Sequence, residues 1–229
     1  PYLQNVTTVF MLLFGVNFAI YFHLMRKEAK LAVKNEELWV YLGIILAATL
    51  GITFVILPSF PNFHDAIRTA FFQVTSIMST TGFVTADFDL WPTIAKIILL
   101  LLLIIGASAG STGGGFKVSR VIMLIKNALR DIKITIHPRK VSVVRMDGKA
   151  VPETVLAKVS GFLFLYIALE LVGAFVLSFE SVVTVEDAFV AVQTCLSNVG
   201  PGLGAVGPTQ NFAFLSPVSK ITLSFMMLA

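Results

Sequence analysis

Charged residues and cysteine are both scarce in this chain. Asp, Glu, Lys and Arg make up 13% of its 229 residues, whereas a soluble domain has about 25%. The single cysteine, Cys195, excludes an internal disulfide, and His23, His64 and His137 do not lie at metal-binding spacing with it. The composition therefore excludes a soluble globular domain, a disulfide-stapled fold, and a zinc or redox site, and we expect no bound cofactor.

The abundant residues are those of helices packed in lipid. Hydrophobic residues make up 56% of the chain, which contains 20 Phe, 16 Gly and seven Met. Small residues allow helices in a membrane to approach closely. The net charge of +4 does not indicate a nucleic-acid partner, because the basic residues lie between apolar segments rather than on a recognition element. The sequence therefore predicts an all-α membrane protein that has membrane lipid as a partner.

Three apolar segments are long enough to cross a bilayer, which needs about 20 residues of helix. They are residues 6–25, 38–57 and 159–179. A further apolar segment starts at Pro217 and is too short to cross before the chain ends at Ala229. Because the chain also begins on Pro1 rather than Met, we expect a fragment of a longer protein.

The basic residues indicate which connections face the cytoplasm. Of 17 Lys and Arg residues, four lie in residues 26–34 and nine in residues 117–149, so the positive-inside rule makes both segments cytoplasmic. The opposite face has six acids and three bases, a balance that attracts cations. The acids are Asp65, Asp87, Asp89, Glu180, Glu186 and Asp187, and the bases are Arg68, Lys96 and Lys220.

A short apolar helix followed by a glycine-containing loop occurs twice. Residues 64–77 and 186–196 are too short to span and too apolar for ordinary loops, so both are predicted to be re-entrant helices. At an offset of 118 residues, five of the 13 positions from Ala70 to Gly82 are identical to their counterparts. Both copies follow an outward-going span and precede an inward-going one, so the repeats are predicted to be parallel.

The two loops have the composition of an ion filter. A cation that crosses a membrane exchanges its water shell for fixed oxygens, which backbone carbonyls supply where glycine lets the chain extend. The candidate filter residues are Ser79, Thr80, Thr81, Gly82 and Phe83 in the first loop and Ser197, Asn198, Val199, Gly200 and Pro201 in the second. Either loop alone is compatible with a plain turn, but two copies behind matching short helices favour a pore.

A glycine-rich stretch interrupts the apolar segment between the two loops. Residues 97–105 are all Ile or Leu, and the next ten residues contain five glycines, each of which costs a helix about 1 kcal/mol relative to Ala. The helix is therefore predicted to break at mid-membrane. A phosphate-binding loop is excluded because Phe116 stands where that motif needs lysine. Close helix packing and a flexible gate both remain open, and the candidate gate residues are Gly106, Gly110, Ser111, Thr112, Gly113, Gly114 and Gly115.

Three motifs resemble those of the Trk/Ktr/HKT superfamily of potassium transporters. IMSTTGF and CLSNVGPGLG contain the two loops, and GASAGSTGGGFKVSR lies between them. The motifs occur in the right order within a matching pattern of spans, and together they resemble the third and fourth repeats of a TrkH/KtrB-type membrane subunit. In that family four repeats surround one ion path. The resemblance therefore implies a potassium-channel-like fold whose first two filter loops are missing from this sequence.

The resemblance also implies an activity and partners. The transported ion would be K⁺, or Na⁺, with no enzymatic step, and the glycine-rich stretch would be a gate below the filter. The ion would bind the backbone carbonyls of Thr80, Thr81, Gly82, Asn198, Val199 and Gly200. The implied partners are a second copy of the subunit, forming a homodimer, and a ring of cytoplasmic nucleotide-binding TrkA/KtrA-like subunits. The implied location is the inner (plasma) membrane.

The repeats define the predicted organisation of the chain. Residues 1–30 end the second repeat. The third repeat covers residues 38–125, with a re-entrant helix at 64–77, a filter loop at 78–84 and a broken span at 92–125. Residues 126–150 form a basic cytoplasmic loop, whose charge is explained either by the positive-inside rule or by docking of the regulatory partner. The fourth repeat covers residues 153–229, with a re-entrant helix at 186–196 and a filter loop at 197–202.

A proton- or sodium-coupled secondary transporter is the competing interpretation. Glu170 lies near the middle of a span, where a charge costs about 3 kcal/mol. It would carry the coupling ion, with Lys96 or Lys220 as a candidate partner, although both lysines are also placed to snorkel to the interface. A protonated or hydrogen-bonded glutamate packed between helices explains Glu170 equally well. The sequence does not favour an enzyme, because it contains no nucleophile–base pair or paired carboxylates at a shared depth.

The distribution of Lys and Arg generates a test of topology. In a Cys195→Ser background, single cysteines at Asn35 and Ser142 should react only with a thiol reagent applied from the cytoplasm. A single cysteine at Asp87 should react only from outside. Labelling of Ser142 and Asp87 from the same side would contradict the predicted arrangement of the spans.

Overall fold

In the residues that the structure describes, the regular structure is helical apart from one short hairpin. The computed structural model describes residues 2–137, 139 and 142–228, without the side chain of Ala29. The helices are α1 (Tyr2–Phe14), α2 (Phe18–Met25), α3 (Ala29–Val33), α4 (Glu36–Ile56), α5 (Phe63–Met78), α6 (Thr93–Ile105), α7 (Val118–Ile136), α8 (Glu153–Leu177), α9 (Val185–Leu196) and α10 (Pro217–Met226). The antiparallel strands β1 (Arg145–Met146) and β2 (Lys149–Ala150) lie between α7 and α8.

Within the described residues, two helices are each long and apolar enough to cross a membrane. They are α4, continued by a 3-10 turn to Ser59, and α8. They contain most of the two predicted spans at 38–57 and 159–179. These helices form because apolar residues fill about 20 consecutive positions, the length that the hydrocarbon core requires.

The third predicted span, 6–25, is not one continuous helix. It is divided into α1 and α2, which are bent by 90° relative to each other. At the bend, a Cβ on Gly15 would collide with the hydroxyl of Tyr41. Asn17 then caps α2, because its side-chain oxygen accepts the Ala19 N–H at 2.9 Å. The predicted span is therefore bent in the structure, as either a broken span or a helix that turns back.

The two short helices, α5 and α9, are surrounded by protein at their C-terminal ends. Every residue is buried in 72–79 and in 190–197, two segments that are related by the offset of 118 residues. A helix that is buried all round lies inside a protein rather than at its surface. Both helices lie within one or two residues of their predicted bounds, at 64–77 and 186–196.

The helix that follows the first loop is interrupted, as the glycines predict. α6 ends at Ile105 and α7 begins at Val118, so twelve residues separate them. α7 then continues to Ile136, and the first part of the predicted basic loop 126–150 is therefore helical rather than a loop. The rest of that segment contains the β1–β2 hairpin, whereas Pro138, Lys140 and Val141 lie outside the described residues.

Two hydrophobic cores hold the helices together. The first includes Tyr41, Ile52, Met78 and Leu99, from α4, α5 and α6. The second includes residues of α8, α9 and α10, among them Leu177, Val192 and Leu223. Val199, from the loop after α9, belongs to the first core. The second loop is therefore anchored in the core formed by the other half of the chain.

The packing of α8 against α9 generates a stability test. A Cβ on Gly173 would lie 2.8 Å from Val192 and 3.2 Å from Met226, whereas a Cβ on Gly161, in the same helix, meets no atom within 4 Å. Gly173→Leu should therefore destabilise the protein by about 1–3 kcal/mol through overpacking. Gly161→Leu is the matched control. Thermal unfolding in detergent measures the difference, and equal melting temperatures would contradict this packing.

Candidate functional site

The loops that follow α5 and α9 have the same pattern of backbone hydrogen bonds. In the first loop the N–H groups of Ser79, Thr80 and Thr81 donate to the carbonyls of Thr75, Ile77 and Ser76, at 2.9, 3.0 and 2.9 Å. In the second loop the N–H groups of Ser197, Asn198 and Val199 donate to the carbonyls of Gln193, Cys195 and Thr194, each at 3.0 Å. Every donor and acceptor is displaced by the offset of 118 residues. The two loops therefore leave their helices along the same path.

The backbone angles of the two loops also correspond. Thr80 and its counterpart Asn198 have φ values of 57° and 54°, and Gly82 and Gly200 have φ values of 77° and 103°. L-residues seldom adopt this left-handed region, which glycine enters freely and asparagine tolerates. Each loop thus contains two left-handed residues separated by one other residue. The glycines identified from the sequence occupy positions that require their conformational freedom.

The two loops meet at Gly82. A Cβ on Gly82 would collide with the carbonyl oxygen of Val199 and lie 3.1 Å from the Cδ of Pro201. Among the candidate filter residues, Ser79, Ser197 and Val199 are buried. The exposed ones are Thr81, Phe83, Asn198 and Gly200. The structure therefore brings the two candidate loops together and leaves part of each loop open.

Different side chains support the two loops. In the first, the Ser76 hydroxyl donates to the carbonyl of Phe83 at 2.6 Å, and the hydroxyls of Ser79 and Thr81 form a hydrogen bond of 2.8 Å. In the second, the Ser197 hydroxyl donates to the carbonyl of Leu103 at 2.8 Å.

A buried polar cluster lies behind the second loop. The side-chain amide of Gln193 donates to the Tyr166 hydroxyl at 2.7 Å and to the Ser197 hydroxyl at 2.9 Å. The two hydroxyls are 3.1 Å apart. Because buried polar groups are costly unless they are bonded, such a network restricts the positions that the loop can adopt.

The glycine-rich stretch is a loop that closes on its own base. The N–H groups of Phe116 and Lys117 donate to the carbonyls of Ile104 and Ile105, at 3.1 and 2.8 Å. Gly106 and Gly115 pack against each other at this base, and both have positive φ. The chain therefore leaves the helix, makes an excursion, and resumes the helix close to the point of departure.

The excursion reaches both candidate filter loops. The N–H of Gly114 donates to the Thr80 hydroxyl at 2.6 Å. A Cβ on Gly113 would lie 2.9 Å from the carbonyl oxygen of Ser79, and a Cβ on Gly114 would collide with the carbonyl oxygen of Ser197. Glycine is thus required because backbone packs directly on backbone.

The other side of the excursion contacts the bend between α1 and α2. The N–H of Ser108 donates to the carbonyl of Gly15 at 3.0 Å, and the N–H of Phe18 donates to the carbonyl of Gly110 at 3.0 Å. The Thr112 hydroxyl is 3.4 Å from the carbonyl oxygen of Phe14. The excursion therefore lies between the bend and the two loops, with Gly110 and Thr112 exposed.

Glu37 belongs to this site, although the sequence analysis did not identify it. Its side chain is 3% exposed, and its Oε1 accepts the N–H groups of Ala109 and Ser119 at 2.7 and 3.0 Å. In the sequence Glu37 is one of two acids that begin an apolar helix. The signal for its burial is that it lies on the same helical face as Tyr41 and Ile45.

The lysines proposed as partners of Glu170 form other contacts. Lys96 Nζ donates to the carbonyl of Asp89 at 2.9 Å and lies 3.5 Å from its carboxylate. Lys220 Nζ donates to the carbonyl of Ala213 at 2.8 Å. None of these contacts involves Glu170, so the candidate pairing of Glu170 with Lys96 or Lys220 is not formed. Both lysines extend back toward the loop before their helix, as expected for snorkelling side chains.

One of the acids on the predicted outer face, Glu180, forms hydrogen bonds with a neighbouring helix. Glu180 follows α8 and joins it to the start of α10, since it accepts the N–H of Ser216 at 3.0 Å and the Ser219 hydroxyl at 2.5 Å. These hydrogen bonds from Ser216 and Ser219 lower the pKa of the Glu180 carboxyl. Within the part of the chain that the structure describes, no three His, Cys, Asp or Glu side chains group as metal ligands. The polar groups that the two loops themselves contain are backbone carbonyls, hydroxyls and the side-chain amide of Asn198.

The polar cluster behind the second loop generates a prediction. Tyr166→Phe removes the hydroxyl that contacts Gln193 and Ser197, so the free energy of unfolding should fall by about 1 kcal/mol. Tyr2→Phe, at an exposed position, is the control and should leave stability unchanged. Thermal unfolding of both variants measures the effect. Indistinguishable melting temperatures would mean that the cluster does not support the loop.

Comparison with known proteins agrees with the resemblance seen in the sequence. The model of a family described as "Cation transport protein", TrkH, matches residues 39–229. The Trk system potassium uptake protein TrkH of Salmonella typhimurium is 35% identical over 100% of this chain and 47% of its own length. TrkH of Escherichia coli K12 is 33% identical over the same shares. None of these names describes an enzyme.

A solved structure agrees with the fold. The crystal structure of the potassium transporter TrkH from Vibrio parahaemolyticus matches with a TM-score of 0.89 and 32% sequence identity, over 98% of this chain and 48% of that one. The chain therefore spans about half the length of the relatives that it matches. The helical fold, the apolar spans and these matches agree, and the chain belongs to the TrkH family of membrane cation transport proteins.

Proposed function

We propose that this chain supplies two of the four filter loops of a potassium uptake protein. The observation that carries the proposal is the correspondence of the loops after α5 and α9, which share hydrogen bonds and left-handed positions at one offset. Filters for cations are built from such repeated rings of carbonyls. The candidate ligands are the carbonyls of Thr80, Thr81, Gly82, Asn198, Val199 and Gly200. The names of the relatives, potassium uptake proteins, favour K⁺ over Na⁺ as the transported ion.

Two parallel repeats, at residues 38–125 and 153–229, explain this correspondence. The outer connections also match, at an offset of 124 residues: Asp87 and Asn211 each begin a short 3-10 turn and accept an N–H two residues later. In this arrangement α5 and α9 are re-entrant helices whose C-terminal ends point at the filter. The negative end of a helix dipole favours a cation there.

The filter assignment predicts the effect of adding a side chain at its glycines. Gly82→Ser in the full-length parent should reduce K⁺-over-Na⁺ discrimination by roughly tenfold, because a left-handed L-residue costs about 1–2 kcal/mol and its Cβ would also collide with Val199. Gly200→Ser, which meets no neighbour within 4 Å, should have a smaller effect.

The control is Gly148→Ser. Gly148 also has positive φ and no neighbour within 4 Å, but it lies in the hairpin between β1 and β2. Flux of K⁺ and Na⁺ into liposomes, with and without a membrane potential, gives the selectivity of each variant. Unchanged selectivity in both the Gly82 and Gly200 variants would overturn the filter assignment.

The excursion between α6 and α7 is proposed to be the gate of the same path. Its support is direct contact with the backbone of both filter loops, at Ser79, Thr80 and Ser197. A segment in that position obstructs an ion leaving the filter. Gly106 and Gly115 at its base allow it to leave and re-enter the helix. Close helix packing, the other interpretation of the glycines, predicts that the protein misassembles when the excursion is shortened, because small residues that seat one helix against another are lost.

Deletion of residues 112–114 distinguishes the two interpretations. In the full-length parent the deletion should raise K⁺ flux per folded molecule, since it removes the part of the excursion nearest to the filter loops. It should also weaken the dependence of flux on any regulatory partner. Size-exclusion chromatography identifies the folded fraction, and liposome flux is measured on that fraction. A well-folded deletion variant that conducts no faster than its parent would contradict the gate.

The proposed assembly is a homodimer in the plasma membrane, regulated by nucleotide-binding subunits of the TrkA/KtrA type. Exposed apolar side chains form a stripe along α7, which is a candidate surface for contact with a partner. They recur at helical spacing and are Ile125, Leu129, Ile132 and Ile136. The basic residues of 126–150 adjoin this stripe on the predicted cytoplasmic side. They favour docking of a regulatory subunit on that face.

A further inference from the structure

Glu37 is a buried acid bonded to the excursion between α6 and α7, and the filter and gate assignments do not use it. It lies in the first turn of α4, and its neighbour Glu36 is partly exposed and pairs with Lys126. One oxygen of Glu37 accepts the N–H groups of both Ala109 and Ser119. A buried carboxylate is costly unless such bonds satisfy it, so its position in this site requires an explanation.

The Ser119 N–H has no partner within its own helix. Ser119 is in the first turn of α7, where N–H groups have no partner within the helix. The residue before that helix, Lys117, forms no side-chain capping bond. Glu37 therefore caps α7 from a different helix, and its negative charge lies at the positive end of the helix dipole.

The two donors flank the part of the excursion that contacts the filter loops. Ala109 precedes Gly113 and Gly114, which form those contacts, and Ser119 follows them. A single carboxylate oxygen thus joins both flanks to α4, the helix that packs on α5. Movement of the excursion away from the filter would separate at least one of these donors from Glu37.

We propose that Glu37 is a positioning residue that holds the gate closed, and that gate opening breaks its bonds to Ala109 and Ser119. The inference rests on the proposed gating function of the excursion. It predicts that the charge on Glu37 acts only through that segment. A purely structural role in helix packing predicts a loss of folded protein with no change in its flux.

The test compares four variants of the full-length parent in K⁺-loaded liposomes. Glu37→Gln should raise partner-independent K⁺ flux by about tenfold, the shift expected when charge-assisted hydrogen bonds become neutral ones. Glu36→Gln, on the same helical turn, is the matched control and should not change it. When Glu37→Gln is combined with deletion of residues 112–114, the flux should equal that of the deletion alone.

Hydrogen exchange provides an independent measurement. The amides of Ala109 and Ser119 should exchange faster in Glu37→Gln than in the parent, whereas both should keep their protection in Glu36→Gln. If Glu37→Gln does not assemble, Glu37→Asp keeps the charge but is too short to reach both donors. It should then give an intermediate rise in flux.

The outcomes separate this inference from the gate proposal. If the deletion raises flux but neither Glu37 variant does, the role of Glu37 is wrong and the gate stands. If the deletion does not raise flux, the gate proposal itself fails. An additive effect of Glu37→Gln in the deletion background would also overturn the inference, since the charge would then act elsewhere.

Discussion

Every peptide group that leaves a helix at membrane depth must find a hydrogen-bond partner in the protein or in enclosed water. Lipid cannot satisfy an N–H or a carbonyl, so irregular backbone at that depth needs protein or water around it. Three irregular segments meet here, the two loops after α5 and α9 and the excursion between α6 and α7. The bond from the Gly114 N–H to the Thr80 hydroxyl shows how they satisfy one another.

Close approach of backbones follows from this constraint. At Gly82 and Gly114 a single added carbon would collide with a carbonyl oxygen of a neighbouring segment. The glycines are therefore needed for contact between segments as well as for flexibility. In the proposed function, the same contact places the excursion where an ion would leave the two loops.

The two halves of the chain share backbone geometry rather than side-chain support. The second loop rests on the buried cluster of Tyr166, Gln193 and Ser197. The first uses hydroxyls of its own segment, Ser76 and Ser79. Because the carbonyls would bind the ion, the positions of the backbone matter more than the identity of the groups behind it. Different side chains can therefore support equivalent loops.

Local composition was enough to predict several elements of this protein. Apolar length predicted α4 and α8, the glycine count predicted the break after Ile105, and the offset of 118 residues predicted the two loops, because each depends on residues close together in the chain. Only the tertiary structure decided that α1 and α2 bend by 90°, and that Glu37 bonds to Ala109 and Ser119 rather than to solvent. Those partners lie 72 and 82 positions away. Such a contact depends on how helices pack, which no local pattern of residues records.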